Sequence, residues 1–119
     1  MTLKILVIDD EPAMTTLISL LLKSYGMEVI TANQGEQGIQ LVHSESPDVV
    51  MLDLMMPDMS GIEVCQAIRA FSNVPLLAYS ALNDREEIAK ALAAGINDHL
   101  EKPSPSEVLV QHIQKLVKP

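Results

Sequence analysis

Apolar positions along this chain follow two alternating rhythms: short unbroken runs, and longer stretches in which they recur every third or fourth residue. Ile5-Leu6-Val7-Ile8, Val49-Val50-Met51-Leu52 and Leu76-Leu77-Ala78-Tyr79 are runs of the first kind. Runs this short and this apolar are expected of strands buried on both faces of a parallel sheet. The segment 11–25 has the second rhythm, with Met14, Leu17, Ile18, Leu21, Leu22 and Tyr25 at helical spacing, Pro12 in the opening turn and Gly26 at the end. Residues 28–31 predict a short second strand. Residues 35–44 predict a helix in which the interior Gly38 costs about 1 kcal/mol relative to alanine. Strand three is expected over 48–53, followed by a loop over 54–60 rich in Met, Pro and Asp. A helix over 61–71 then buries Ile62, Cys65 and Ile68. Strand four covers 74–79, with Pro75 near its start, where a missing donor does least harm. Asn83 or Asp84 caps a helix that turns Ile88, Ala91 and Leu92 inward and stops at Gly95. Strand five is expected over 97–100, and Ser104-Pro105 opens a last helix with Leu109, Ile113 and Leu116 inward. Strands and helices alternate without repeats, low-complexity tracts or a linker. Right-handed crossovers fold such a chain into a layered α/β sandwich, and residues 1–119 are expected to form one domain.

The polar residues that stop the apolar runs carry the candidate chemistry. The first run ends on Asp9-Asp10, the second on Asp53 and the third on Ser80, while Asp98-His99-Leu100 leads to Lys102-Pro103. In an open α/β sheet ligands gather at the carboxyl ends of the strands, so these side chains are expected to converge on one edge. Three carboxylates in one pocket repel by roughly 4 kcal/mol per close pair at an effective dielectric of 20. Such a pocket is expected to be strained or to hold a cation, and its oxygen donors suit magnesium or manganese.

Taken together, Asp9-Asp10, the block Asp53-Leu54-Met55-Met56-Pro57 with Gly61 after it, Ser80-Ala81, Ala94-Gly95 and Lys102-Pro103 closely resemble the receiver domain of two-component response regulators. Each piece is weak by itself; their order and spacing over nearly the whole chain are specific. The resemblance implies a flavodoxin-like three-layer sandwich with five helices around a five-stranded parallel sheet in the order 2-1-3-4-5. It implies magnesium-dependent transfer of a phosphoryl group from the phosphohistidine of a histidine kinase or phosphotransfer protein to Asp53, switching the surface that meets an output domain or effector. Asp53 is the implied nucleophile, a carboxylate forming an aspartyl phosphate. Asp10 is implied as a direct metal ligand, Asp9 as one acting through water, and Met55 as the source of a backbone carbonyl ligand. Lys102, aimed by a cis junction to Pro103, is implied to pair with Asp53 and then with the phosphoryl oxygens, and Ser80 to donate to the phosphoryl group. The chain would be an enzyme only toward itself.

Three departures from the family pattern touch the output switch. His99 stands where Tyr or Phe is common, and is expected to rotate inward, to contact a partner, or to be a half-exposed strand residue. Bulky Tyr79 precedes Ser80, and Ser104 follows Lys102-Pro103 where phenylalanine is frequent. Lys90, Asp98 and Glu107 match charged positions used for dimer contacts in one receiver subgroup, whereas Gln111 replaces an arginine there. A phosphorylation-dependent homodimer is the implied assembly.

Bulk properties narrow the remaining classes. A formal charge of -8 and a pI near 4.6 argue against nucleic-acid binding by this chain, since phosphate backbones require a basic face. A single Cys65 excludes an internal disulfide and a cysteine metal cluster; it is expected as a small core residue. Lys4 and Asp9-Asp10 bracket only a strand-length apolar segment, so neither a secretory signal nor a transmembrane span is read, and the cytoplasm is the expected compartment. A flavin carrier of similar architecture needs donors after its first strand, where this chain has Asp9-Asp10-Glu11. Aspartate-nucleophile phosphohydrolases of the haloacid dehalogenase type carry a second aspartate two residues after the first, and Met55 stands there instead. A phosphorylation-independent receiver-like module usually lacks one of the acidic or lysine positions, and this chain keeps them all.

Overall fold

The structure, a computed structural model, describes residues 2–117; the expected domain limits at 1 and 119 lie outside them. Five parallel strands, β1 (Lys4–Ile8), β2 (Glu28–Ala32), β3 (Val49–Leu52), β4 (Leu76–Ser80) and β5 (Asp98–Glu101), form one sheet in the order β2-β1-β3-β4-β5. They alternate with α1 (Pro12–Ser24), α2 (Gly35–Glu45), α3 (Gly61–Arg69), α4 (Arg85–Ala94) and α5 (Ser106–Val117). The three central strands are apolar along their length because both faces are covered: β3 and β4 are buried throughout, and β1 from its second residue. Edge strands β2 and β5 carry the polar residues instead.

Side chains alternate across the sheet and divide the core in two. Leu6, Ile8, Val50, Leu52, Leu76 and Ala78 pack with Val42, Val64, Cys65, Ile68 and Ala91 from α2, α3 and α4. On the other face Ile5, Val7, Val49, Met51, Leu77 and Tyr79 pack with Ile18, Leu22, Leu109, Val110 and Ile113 from α1 and α5. Cys65 is the core residue its spacing predicts. The helical stripes are narrower than the apolar periodicity suggests. Leu17 is 61% exposed and Leu92 47%, because the sheet covers only the innermost part of each helix and leaves flanking leucines to solvent; Tyr25, 46% exposed, lies past the end of α1 as its C-cap.

Register is what matters for the site. Ile8 pairs with Ala32 on one side and with Leu52 on the other, and Leu52 pairs with Ala78. The chain therefore leaves β1 and β3 at the same level, with the Asp53 N–H donating to the Ile8 carbonyl at 3.0 Å and the Asp9 N–H to that of Ala32 at 3.1 Å. Ser80 belongs to β4 itself, pairing with Glu101, and β5 runs one residue past its expected end. The last helix begins at Ser106, two residues later than expected, because Ser104 is held in the preceding turn by its own hydroxyl, which donates to the Glu101 carbonyl at 2.6 Å.

Candidate functional site

Asp9, Asp10, Asp53, Ser80 and Lys102 meet at the carboxyl edge of the sheet, as their positions predict. Asp9, Asp10 and Asp53 each bring a carboxylate oxygen within 4.8 Å of the others. At that separation two unit charges repel by roughly 3.5 kcal/mol at an effective dielectric of 20. Asp9 is almost entirely buried and Asp53 nearly so, whereas Asp10 is half-buried. Among the described residues Asp10 enters no salt bridge, which leaves its oxygens open to a ligand. The donor set is carboxylate oxygen throughout, the chemistry of a hard divalent cation rather than a soft one, so this acidic cluster fits a metal ion.

Lys102 is the one cation in the pocket among the described residues. Its Nζ lies 2.6 Å from Asp9 Oδ2 and 3.7 Å from Asp53 Oδ2. The amine is therefore lodged on Asp9 and only near Asp53, whereas the family pattern implies Asp53 as its partner. Asp9 is the deeper carboxylate, and its other oxygen accepts the Glu11 N–H at 3.0 Å. Burial depresses the Lys102 amine, but the hydrogen bond to Asp9 and the charges of Asp53, Asp9 and Glu11 outweigh it, and the net displacement is upward. The junction from Lys102 to Pro103 is cis.

The Asp53 carboxyl is pushed above the ordinary carboxylate range, chiefly by burial. The Met55 N–H, the Lys102 charge and the Ser80 hydroxyl pull it down, and the Asp9 charge adds to the rise. Met55 reaches the site through its backbone, its N–H donating to Asp53 Oδ1 at 3.1 Å, while the residue as a whole is 58% exposed. Ser80 is fully buried, and its Oγ accepts the Leu82 N–H at 3.2 Å. That bond uses a lone pair and leaves the hydroxyl proton to face the Asp53 carboxylate.

Two further residues support the site: Asn33, which the sequence did not single out, and Gly61, whose place in the sequence pattern does not show why it must be glycine. Asn33 donates from Nδ2 to the Asp9 carbonyl at 2.9 Å and to Thr15 Oγ1 at 3.1 Å, bracing the acidic pair against α1. Its position directly after β2 is the same strand-end signal that marks Asp9 and Asp53. Gly61 opens α3 with no room for a side chain: a Cβ there would stand 2.6 Å from Leu54 Cα and 2.8 Å from the Asp53 carbonyl oxygen. His99 lies beside Ala78 on β5, half-buried, and its Nε2 is buried without a hydrogen-bond partner among the described residues.

Comparison with known proteins agrees with this geometry. A family model described as the response regulator receiver domain matches residues 5–114. A probable transcriptional regulator ycf27 from Guillardia theta is 42% identical over 106 residues, covering 88% of this chain and 42% of that protein. The DNA-binding response regulator MtrA from Mycolicibacterium smegmatis is 34% identical over 111 residues, covering 93% and 49%. The chain thus spans about half the length of the curated relatives it matches. Among solved structures, the BeF3-activated N-terminal receiver domain of Klebsiella pneumoniae RstA superposes with a TM-score of 0.92 at 27% identity, covering 98% of this chain and 99% of that one. The Vibrio cholerae chemotaxis protein CheY4 gives a TM-score of 0.90 at 28% identity with the same coverage.

Proposed function

The chain belongs to the response regulator receiver domain family, and on that premise we propose that residues 1–119 act as one phosphoacceptor domain whose nucleophile is Asp53. The observation that carries this reading is the meeting of three carboxylates within 4.8 Å with the amine of Lys102 at 2.6 and 3.7 Å from two of them. An Asp53 oxygen attacks phosphorus in line; the bond from phosphorus to the donor's imidazole nitrogen breaks, and the electron pair stays with that nitrogen. The new bond is an acyl phosphate. A divalent cation, magnesium by preference and manganese as a substitute, supplies neutralisation of phosphoryl and carboxylate charge when bound. Asp10 and Asp53 offer it direct carboxylate ligands, Met55 a backbone carbonyl, and Asp9 a contact through water.

Lys102 then exchanges part of its interaction with Asp9 for the phosphoryl oxygens, a short movement for an amine that is already 3.7 Å from Asp53. Ser80 turns its hydroxyl proton from the Asp53 carboxylate to the same group. A hydrogen bond to a charged acceptor is worth roughly 1.5–3 kcal/mol, whereas inverting a conformational equilibrium from mostly inactive to mostly active takes about 5.5 kcal/mol. Ser80 alone is therefore insufficient, and the switch needs Ser80, Lys102 and the Ala81 amide together. The phosphoryl donor is a histidine kinase or phosphotransfer protein, the recipient of the signal is an output domain or effector, and the cytoplasm is the compartment. No helix of the described residues is long and apolar enough to cross a membrane.

Incubation with acetyl phosphate and magnesium is expected to add one phosphoryl group that hydroxylamine removes, and Asp53→Asn is expected not to acquire it. Labelling of that variant at the parent's rate would overturn the assignment.

A further inference from the structure

Two of the family departures in this sequence touch each other. Tyr79 is 8% exposed, packed in the core layer between the sheet and α1 and α5. Its hydroxyl accepts the Ser104 N–H at 3.1 Å, and its ring centroid lies 5.8 Å from Lys102 Nζ, within reach of a cation–π contact. The neighbouring residue on β4, Ser80, accepts the Lys102 N–H through its carbonyl at 2.9 Å. Adjacent residues of one central strand thus hold both ends of the turn that carries the lysine. One grips its start through the backbone, the other its end through a phenol.

A lysine needs such a frame. Its four-carbon stem rotates freely and its ammonium is a point charge without directional preference, so pointing it at an acceptor is the work of its surroundings. Asp9 and Asp53 attract the Lys102 amine from one side. The Tyr79 ring presents its negative face from another, in a setting where the lysine side chain is only 14% exposed. An aliphatic residue at this position would fill the space but would offer neither a π face nor an acceptor for the Ser104 N–H.

We propose that Tyr79 is a positioning residue for the Lys102 amine, its ring backing the ammonium and its hydroxyl pinning the turn from Lys102 to Ser104, so that capture and retention of the phosphoryl group depend on it. This rests on the phosphoacceptor reading of Asp53.

Tyr79→Phe keeps the ring and removes the pin; Tyr79→Leu removes both. In the metal-free protein the Lys102 ε-methylene proton resonances should be displaced by the ring current. That displacement should persist in Tyr79→Phe and vanish in Tyr79→Leu. In the presence of magnesium, affinity for beryllofluoride should fall about threefold in Tyr79→Phe and about tenfold in Tyr79→Leu, the latter equal to ~1.4 kcal/mol. Magnesium affinity measured alone should be unchanged or tighter, because the metal does not need the lysine. Beryllofluoride binding that is unaltered in both variants would overturn the proposal. So would a parallel loss of magnesium and beryllofluoride affinity, which is the mark of general damage, or a Lys102 resonance that ignores the leucine substitution. A parent protein that binds no beryllofluoride would instead sink the phosphoacceptor reading, while the lysine resonances would still report whether Tyr79 holds the amine.

Discussion

Asp53 sits where ionisation is costly. Its carboxyl lies above the ordinary range, first because of burial, so the folded state holds the proton more tightly than the unfolded chain does. This group's contribution to stability is therefore present below the unfolded pKa of about 3.8 and is lost as pH rises through the folded value. At neutral pH without divalent cation, Asp53→Asn is expected to raise the melting temperature, by about 4 °C for each kcal/mol relieved in a domain of this size. Magnesium is expected to raise that of the parent by mass action, and to lose the effect in Asp10→Ala. Differential scanning fluorimetry across a magnesium titration checks both, and a parent indifferent to saturating magnesium would contradict the crowding argument. Two further side chains are expected to bear on the lifetime of the product. Met55 stands two residues after Asp53, exposed, and Leu82 two after Ser80, partly buried against the core layer of α3 and α4. Neither can orient an attacking water by hydrogen bonding, so hydrolysis of the acyl phosphate is expected to be slow. Replacing them together with Met55→Asn and Leu82→Glu should speed dephosphorylation about tenfold, ~1.4 kcal/mol of barrier. Loss of labelled phosphate at the parent's rate would remove this role.

Elements deliver these residues through backbone contacts as much as through side chains. The N-terminus of α3 carries a reciprocal cap, with the Glu63 N–H donating to Ser60 Oγ and the Ser60 N–H to Glu63 Oε1. Immediately inside that cap, Gly61 lets the helix lie against the backbone of Asp53 and Leu54. Gly61→Ala must displace backbone rather than a flexible side-chain end, and is expected to cost about 2–3 kcal/mol or more and to slow phosphorylation by moving Asp53. Chemical denaturation beside the acetyl phosphate rate tests this; a variant as stable as the parent would contradict it. Gly38 on α2 meets a side chain instead, since a Cβ there would stand 2.4 Å from Ile8 Cδ1 and the buried isoleucine would have to shift. In the sequence Gly38 registers only as a helix weakness and Gly61 only as a family match, because neither approach is local. The elements themselves were legible where burial is two-sided: β1, β3 and β4 read as apolar runs because nothing polar survives between two helix layers. The site residues were legible for the same reason, as the first polar residues where those runs stop. What could not be read depends on rotamers and distant packing. Leu17 and Leu92 fit a helical stripe yet face solvent, and the Lys102 amine prefers Asp9 to Asp53 because of depth. Asn33 braces Asp9 from just beyond β2, a predicted strand whose mixed pattern does not mark its polar end as the stop of an apolar run.

At the scale of the whole molecule, the surface formed by α4, β5 and α5 is where phosphorylation is expected to be read out, by shifting a two-state equilibrium. Its charges are partly engaged already. Lys90 Nζ lies 3.0 Å from Glu87 Oε1 on its own helix, and Asp98 Oδ2 lies 2.5 Å from His112 Nδ1 on α5. Gln111 offers no cation to a second copy. Each protomer also carries a formal charge of -8, so two copies repel at long range before any contact forms. A homodimer assembled on this face must overcome that repulsion with few intermolecular ion pairs, and its formation is expected to strengthen as salt shortens the screening length, from about 30 Å at 0.01 M to about 8 Å at 0.15 M. An interface built mainly on salt bridges would weaken over the same interval. Sedimentation velocity with and without beryllofluoride and magnesium, at both ionic strengths, separates the cases. The expected result is a monomer without the phosphoryl mimic and a dimer with it, more populated at the higher salt. A monomer throughout would remove self-association from the output, and a dimer favoured by low salt would place opposite charges, rather than apolar contact, at its interface.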